Sequence, residues 1–362
     1  MNILLLIDNL GSGGAQRQIV TLGILLNNFQ QNVTILTYSE GGFFKQDVQN
    51  NGINHYYCKA SNLFSRILKV RKFIRHGKYD VVISFMDVPN FLNNFAAIGG
   101  KSWKVITSER SSNISTFESM KGKIFSIFQR FSDFIVCNSY NAKQICMKYM
   151  NQYTNKLRVI YNPVILPLIT SEYRPKQNNK INIIIAASYQ YLKNPLGLIN
   201  AVSLMSEDEK AKIEINWYGR ADVAKGNTQA YDESKTLIKQ HRLEDVIHLN
   251  EPTMDIANVM KSADVIALFS KLEGLPNAIC EGMMIGKPII MTKVSDYNNL
   301  VDESNGFLCD WDNPESIKNA LVKAANLSVE QIELMGAMSR EKAKILFSTE
   351  LIINQWIDLT GK

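Results

Sequence analysis

The stretch Val265 to Met291, VIALFSKLEGLPNAICEGMMIGKPIIM, decides how the chain is read. It opens on a β-type apolar run, turns at Gly274-Leu275-Pro276, and continues as an apolar-patterned helix to about Ile285. Gly286 closes that helix, and a second strand begins near Pro288. A strand, a crossover helix and a second strand within 27 residues make a βαβ unit, hence a parallel sheet. Two carboxylates, Glu273 and Glu281, bracket the turn at the first strand's carboxyl end, the edge at which ligands of such sheets bind.

The same alternation runs through the whole chain. Strands are expected at Ile3 to Ile7, Val33 to Tyr38, Val81 to Phe85, Lys104 to Ser108, Phe134 to Asn138 and Arg158 to Tyr161. Five more follow at Ile181 to Ala187, Ile213 to Tyr218, Val246 to Asn250, Val265 to Phe269 and Pro288 to Thr292. Between the two sets lie Asn162-Pro163-Val164-Ile165-Leu166-Pro167 and the polar run TSEYRPKQNN, which mark a boundary. At 362 residues with 46% apolar side chains, two globular domains are expected. These are an N-terminal domain over 1–165 and a C-terminal domain over 166–344, each a doubly wound α/β sheet.

Charge divides at the same place. Residues 1–165 hold 19 basic against 8 acidic side chains, and residues 166–362 hold 21 against 26, so the first half should meet an anionic partner. The five cysteines are scattered without CxxC pairing, and no apolar run reaches the roughly 18 residues of a membrane span. No signal peptide is visible in MNILLLIDNL, so a reducing cytoplasm is expected.

Four kinds of loop carry chemistry. The first, Asp8 to Arg17, contains Gly13 and Gly14 before an apolar helix and suits an anion; the dinucleotide pattern GxGxxG breaks at Gln16. In the second, ASYQYLKNP, Lys193 precedes a helix start marked by Asn194 and Pro195, where an ammonium and a helix dipole can meet a diphosphate. The third is EGLPNAICE, whose carboxylates suit vicinal hydroxyls. The last group, Asp87, Glu109-Arg110-Ser111-Ser112 and Asn138-Ser139, lies at strand ends of the first half. The triplet Asp310-Trp311-Asp312 resembles a metal-binding DxD but precedes Asn313-Pro314, and reads as a helix start. The four histidines never pair at ligand spacing, so no metal and no cofactor are expected.

Together the segments GSGGAQR, VIYNPV, YLKNP, the 265–291 unit, ESNGFLCDWDNPESI and FSTELIINQWIDL resemble the family 4 retaining glycosyltransferases, over nearly the whole chain. The resemblance implies the GT-B architecture: two Rossmann-like domains facing each other across a cleft, with the last helix, near 345–362, returning to the first domain. It implies that Glu273 holds donor-sugar hydroxyls, that the backbone of Gly274, Leu275, Pro276 and Asn277 faces sugar and phosphate, and that Glu281 holds the ribose. Lys193 would neutralise the diphosphate, with Gly13 and Gly14 closing over it. The family's arginine five residues before that lysine is Ser188 here, and Arg220 or Arg17 would have to stand in. The family's first-domain histidine is also missing around SERSS, where Asp87, Glu109 and Arg110 are the acceptor-side candidates.

The implied reaction is metal-independent, retaining transfer of a hexose or N-acetylhexosamine from a nucleotide sugar, UDP being the common donor, to a glycan acceptor. LFSRILKVRKFIRHGK and KGKIFSIFQR are basic and amphipathic, so a peripheral enzyme on an anionic membrane surface, extending a polyprenyl-diphosphate-linked glycan for a bacterial surface polysaccharide, is expected. The competing readings are a UDP-sugar 2-epimerase of the same architecture, a glycosidase using the two glutamates, and a nucleic-acid-binding module. The last lacks the aromatic-basic strands of common readers, so no nucleic acid is expected.

Overall fold

The computed structural model describes residues 1–110, 114–166, 180–222 and 226–361. Ser111, Ser112 and the polar run 170–179 lie outside them. The chain forms two compact units, Met1–Pro163 with Ser348–Lys362, and Val164–Phe347.

The first unit is built on seven parallel strands: β1 (Asn2–Leu6), β2 (Asn32–Thr37), β3 (Asn54–Tyr57), β4 (Val81–Phe85), β5 (Lys104–Glu109), β6 (Phe134–Cys137) and β7 (Leu157–Val159). They lie in the order β3-β2-β1-β4-β5-β6-β7. Helices cover both faces, so Ile3 to Leu6 and Val81 to Phe85 are buried along their whole length, which is why the first is an unbroken apolar run and the second is interrupted only by Ser84. The order reverses between β1 and β4, a topological switch point whose carboxyl edge carries the Asp8 to Arg17 loop and Asp87. The terminal helix Thr349–Thr360 belongs to this unit. Its Trp356 stacks on Phe85 with ring centroids 6.2 Å apart, and Lys104 Nζ donates to the Leu359 carbonyl at 3.1 Å.

The second unit repeats the plan with β8 (Ile181–Ala186), β9 (Ile213–Tyr218), β10 (Ile247–Asn250), β11 (Val265–Leu268), β12 (Ile289–Thr292) and β13 (Gly306–Cys309), in the order β10-β9-β8-β11-β12-β13. Its switch point falls between β8 and β11, the strands that carry the Lys193 and Glu273 loops. Every run read as a strand overlaps one, and two strands were not read. β3 is an edge strand of sequence NHYY without an apolar run, and β13 is a four-residue edge strand opening on glycine. That glycine is required: a Cβ on Gly306 would lie 2.1 Å from the Ile289 carbonyl oxygen of the neighbouring strand.

Candidate functional site

The 265–291 unit is held rigidly. Gly282 sits where a Cβ would press on Ile266 at 2.9 Å, so the helix Asn277–Ile285 lies directly on β11. Gly286 adopts φ +88° and ends it, with the amides of Gly286 and Lys287 both returning to the Gly282 carbonyl. The helix Val329–Phe347 packs over that end so closely that a Cβ on Gly336 would meet the Gly286 oxygen at 2.3 Å. Arg340 Nη2 donates to the Ile285 carbonyl at 2.6 Å. Lys287 is buried, donates to the Ala263 carbonyl at 2.6 Å, and burial pushes its pKa down to about 7. The GKP signature thus fixes the helix that begins at the turn.

That helix starts with no side-chain cap, because Pro276, standing immediately before Asn277, has no side-chain oxygen to accept from its leading amides. Its N-terminal end carries the dipole's positive pole. Glu273 sits in the loop before it and Glu281 one turn inside it, half-buried. Ser295, at φ +56°, donates through Oγ to the Gly274 carbonyl at 2.5 Å and pins the turn.

Lys193 and Glu273 meet. Lys193 Nζ lies 2.5 Å from Glu273 Oε1, with side chains 21% and 11% exposed. Ser270 Oγ donates to the same oxygen at 2.6 Å, and Thr292 Oγ1 fixes the Ser270 carbonyl at 2.6 Å. A backbone bond from Lys271 N to the Leu192 carbonyl at 2.8 Å ties the two loops together. Asn194 does not cap the following helix: it adopts φ +62° and its amide donates to the Trp311 carbonyl at 2.8 Å. In the DxD triplet, Asp310 pairs with Lys293 at 3.0 Å, and Asn313 rather than either acid caps the helix Pro314–Ala325.

Ser188, where a second cation was expected, lies beside Arg220. The Tyr189 amide donates to the Arg220 carbonyl at 3.0 Å, and Gly219 passes so close that a Cβ there would lie 1.9 Å from the Ala187 oxygen. Arg220 is exposed and stands at the carboxyl end of β9, next to Ser188.

In the first unit, Gly13 is the extended residue before the helix Gly14–Asn28, which has no side-chain cap, and Gly14 is its first residue. A Cβ on Gly13 would strike Gln16 Oε1 at 2.1 Å, and Gln16 Nε2 donates to Asp8 Oδ1 at 2.9 Å. Asp87 and Glu109 line one narrow cavity with Phe117, Phe125 and Gln129. Arg110 turns elsewhere, its guanidinium 3.7 Å from the Phe85 ring centroid and its Nη1 2.6 Å from Asn162 Oδ1. Ser139 caps the helix Tyr140–Tyr149 by accepting from the Ala142 amide.

Of the basic helix Leu63–His76, much of the charge is committed internally. Arg71 donates to the carbonyls of Phe95, Ala96 and Ile98, Arg75 to those of Ala96 and Gly100, and Arg66 lies over Tyr38. The helix Met120–Phe128 instead holds Met120 74%, Ile124 48% and Ile127 56% exposed beside Lys121 and Lys123. No helix among the described residues is long and apolar enough to cross a membrane, and no group of three metal-ligating side chains occurs among them.

Residues 170–343 match the family model described as Glycosyl transferases group 1, and residues 12–166 match the one described as Glycosyltransferase Family 4. A Campylobacter jejuni protein named GalNAc-alpha-(1->4)-GalNAc-alpha-(1->3)-diNAcBac-PP-undecaprenol alpha-1,4-N-acetyl-D-galactosaminyltransferase is 23% identical, the alignment covering 100% of this chain and 99% of that one. An Escherichia coli UDP-Gal:alpha-D-GlcNAc-diphosphoundecaprenol alpha-1,3-galactosyltransferase is 24% identical over 91% of this chain and 88% of its own. Among solved structures, Anabaena HepE in complex with UDP and glucose superposes with a TM-score of 0.82 at 17% identity, covering 99% of this chain and 98% of that one. The two-sheet fold is the GT-B fold of these structures.

Proposed function

Since the chain belongs to glycosyltransferase family 4, we propose that it moves a hexose or N-acetylhexosamine from a UDP-linked donor to a polyprenyl-diphosphate-linked saccharide in surface polysaccharide assembly. Transfer proceeds with retention and without a metal ion. The observation that carries this reading is the Lys193–Glu273 pair at 2.5 Å, which joins a cation and a carboxylate from two strand-end loops at the switch point of the second sheet.

Cleaving a nucleotide-sugar bond builds negative charge on the leaving diphosphate and oxocarbenium character on the sugar. Lys193, with Arg220 beside Ser188, supplies fixed positive charge where the first develops, and fixed charge needs no reorganisation during the step. Glu273 accepts from hydroxyls of the sugar, the uncapped start of the helix Asn277–Ile285 addresses phosphate with the backbone of Gly274 to Asn277, and Glu281 accepts from the ribose. Glu273 is not a nucleophile in this scheme, because it lies on the hydroxyl side of the sugar. The donor phosphate itself helps to deprotonate the acceptor, on the face that the leaving group vacates.

The lipid-linked acceptor follows from the named substrates of the Campylobacter and E. coli relatives. The exposed apolar residues and lysines of Met120–Phe128 give the first unit a face suited to an anionic membrane, at which the enzyme is peripheral. Thermal shift with UDP and a panel of UDP-sugars tests the donor site. Glu281→Ala abolishes stabilisation by both, and Glu273→Ala spares free UDP while losing the extra shift of the sugar. Equal losses for both ligands in Glu273→Ala contradict the roles assigned. Product analysis without acceptor separates transfer from 2-epimerisation.

A further inference from the structure

The helix Val329–Phe347 of the second unit buries one side and leaves an apolar seam uncovered on another. Ile332, Met335, Ala343 and Phe347 are buried against the body of the unit, and Gly336 sits against the Gly286 carbonyl. Leu334, Met338 and Ile345 stand outside, 65%, 39% and 72% exposed. At 3.6 residues per turn these three fall within about 40° of arc around the helix. Single exposed apolar residues are ordinary on a protein surface. Leu334, Met338, Glu341 and Ile345, however, follow one another at spacings of 4, 3 and 4 residues, the alternation that lets one helix interlock with another.

The charges beside the seam run from acidic to basic. Glu330 and Glu333 stand in the N-terminal half, and Arg340, Lys342 and Lys344 in the C-terminal half. Arg340 is committed to the Ile285 carbonyl, and Lys342 to Asp302 at 2.5 Å. Glu330 is hydrogen-bonded to Ser328 at the helix start, and Lys344 to Glu341 one turn away at 2.8 Å, with both of the latter side chains more than half exposed. Such surface contacts contribute little and exchange readily.

Two of these helices lying side by side in the same direction would set Glu330 against Glu330 and Lys344 against Lys344. In opposite directions Glu330 meets Lys344. Residues 334 and 338 have their midpoint at 336, and residues 330 and 344 at 337, so one two-fold axis satisfies both pairs at once. That axis passes beside Ala337, which is exposed and small enough for the helices to approach closely.

We propose that this face docks a second copy of the chain, helix on antiparallel helix, in a closed two-fold dimer. Leu334 of each copy packs on Met338 of the other, Ile345 reaches the N-terminal end of the other helix, and Glu330 pairs with Lys344 at both ends. A copy is the partner because the face is complementary to itself, in its apolar seam and in its charge. The 19-residue helix is about 28 Å long. One such helix pair lies at the low end of specific interfaces, so the dimer forms at micromolar concentrations. The inference is independent of the transferase reading: none of the seam residues belongs to the donor site, and the Gly336 side that supports the helix Asn277–Ile285 is turned away from the seam.

The test is sedimentation velocity of the full chain at concentrations from about 1 to about 200 μM. The wild type shifts from one chain to two across that range. Leu334→Glu, a change on an exposed position that leaves thermal melting of the monomer intact, weakens association at least ~100-fold. Glu330→Lys and Lys344→Glu each set like charges together at both ends of the pair and weaken it about 10-fold, and the two combined restore it to within about threefold of wild type. A wild type that stays a single chain throughout, a dimer that Leu334→Glu leaves undiminished, or a double exchange no tighter than either single one overturns the proposal. So does a monomeric wild type whose sedimentation with phosphatidylglycerol vesicles is lost in Leu334→Glu, which would give the seam to a membrane instead.

Discussion

Replacing Lys193 by methionine tests whether the pair at the switch point is both structural and functional. Two unit charges at 4 Å attract by about 4 kcal/mol at an effective dielectric near 20, and desolvation offsets much of that. Exposed pairs contribute about 0–1 kcal/mol, and breaking a fully buried one costs about 3–5. With side chains 21% and 11% exposed, and with Ser270 Oγ still donating to Glu273, the loss should be about 2 kcal/mol. For a unit of this size that lowers the melting temperature by about 4–8 °C. The functional loss is separate. A charge-assisted contact to a phosphate is worth about 1.5–3 kcal/mol, so UDP affinity should fall roughly 10- to 100-fold. At a UDP concentration 100 times the wild-type Kd, ligand stabilisation then drops from about 2.7 kcal/mol to roughly 0.4–1.4. Differential scanning calorimetry of both proteins, with and without UDP, reads both quantities. A variant that melts within about 1 °C of wild type and is stabilised undiminished by UDP refutes the reasoning.

Lys287→Met should flatten the pH dependence of stability. The folded lysine releases its proton near 7 and the unfolded one near 10.4, so between these values the unfolded chain binds more protons and wild-type stability rises with pH. Chemical denaturation across pH 7 to 10 should show that rise in wild type and a smaller one in the variant; equal slopes would contradict it. For the membrane face, replacing Met120, Ile124 and Ile127 together by serine should reduce sedimentation with phosphatidylglycerol vesicles without changing UDP binding, whereas neutralising Arg71 should act on stability instead, because its guanidinium holds the backbone at Phe95 to Ile98.

The sheets were legible because their central strands are covered on both faces, so Ile3 to Leu6, Ile183 to Ile185 and Val265 to Leu268 stand out as unbroken apolar runs. The edge strands β3 and β13 have one open side and no such run. Strand-end placement and spacing marked Lys193, Glu273 and Glu281 only as candidates, the family resemblance supplied the roles expected of them, and neither paired Lys193 with Glu273; the 2.5 Å contact depends on how two loops 80 residues apart are tied, through Ser270 and the Leu192 carbonyl. The role of Gly219 was equally hidden, since only the approach of the Ala187 loop makes a side chain there impossible and sets Arg220 beside Ser188. Asn90, Asn93, Asn94 and Gln129 escaped reading for a different reason. In a helix pattern, asparagine and glutamine signal a solvated face, and here they are buried: Asn90 and Gln129 donate to Glu109, Asn94 donates to Gln129, and Asn93 donates to the Val82 carbonyl.

The central claim is retaining transfer from a UDP-sugar without a metal ion, and the measurement that meets it most directly is NMR of the product formed in excess EDTA. UDP-sugars are supplied with an undecaprenyl-diphosphate-linked N-acetylhexosamine, and the anomeric coupling of the new linkage is compared with that of the donor. The account predicts a new glycosidic bond of the donor's own configuration, formed at an undiminished rate in EDTA and lost in Glu273→Ala. Inversion at the anomeric carbon, or transfer that EDTA abolishes and added divalent metal restores, would contradict it.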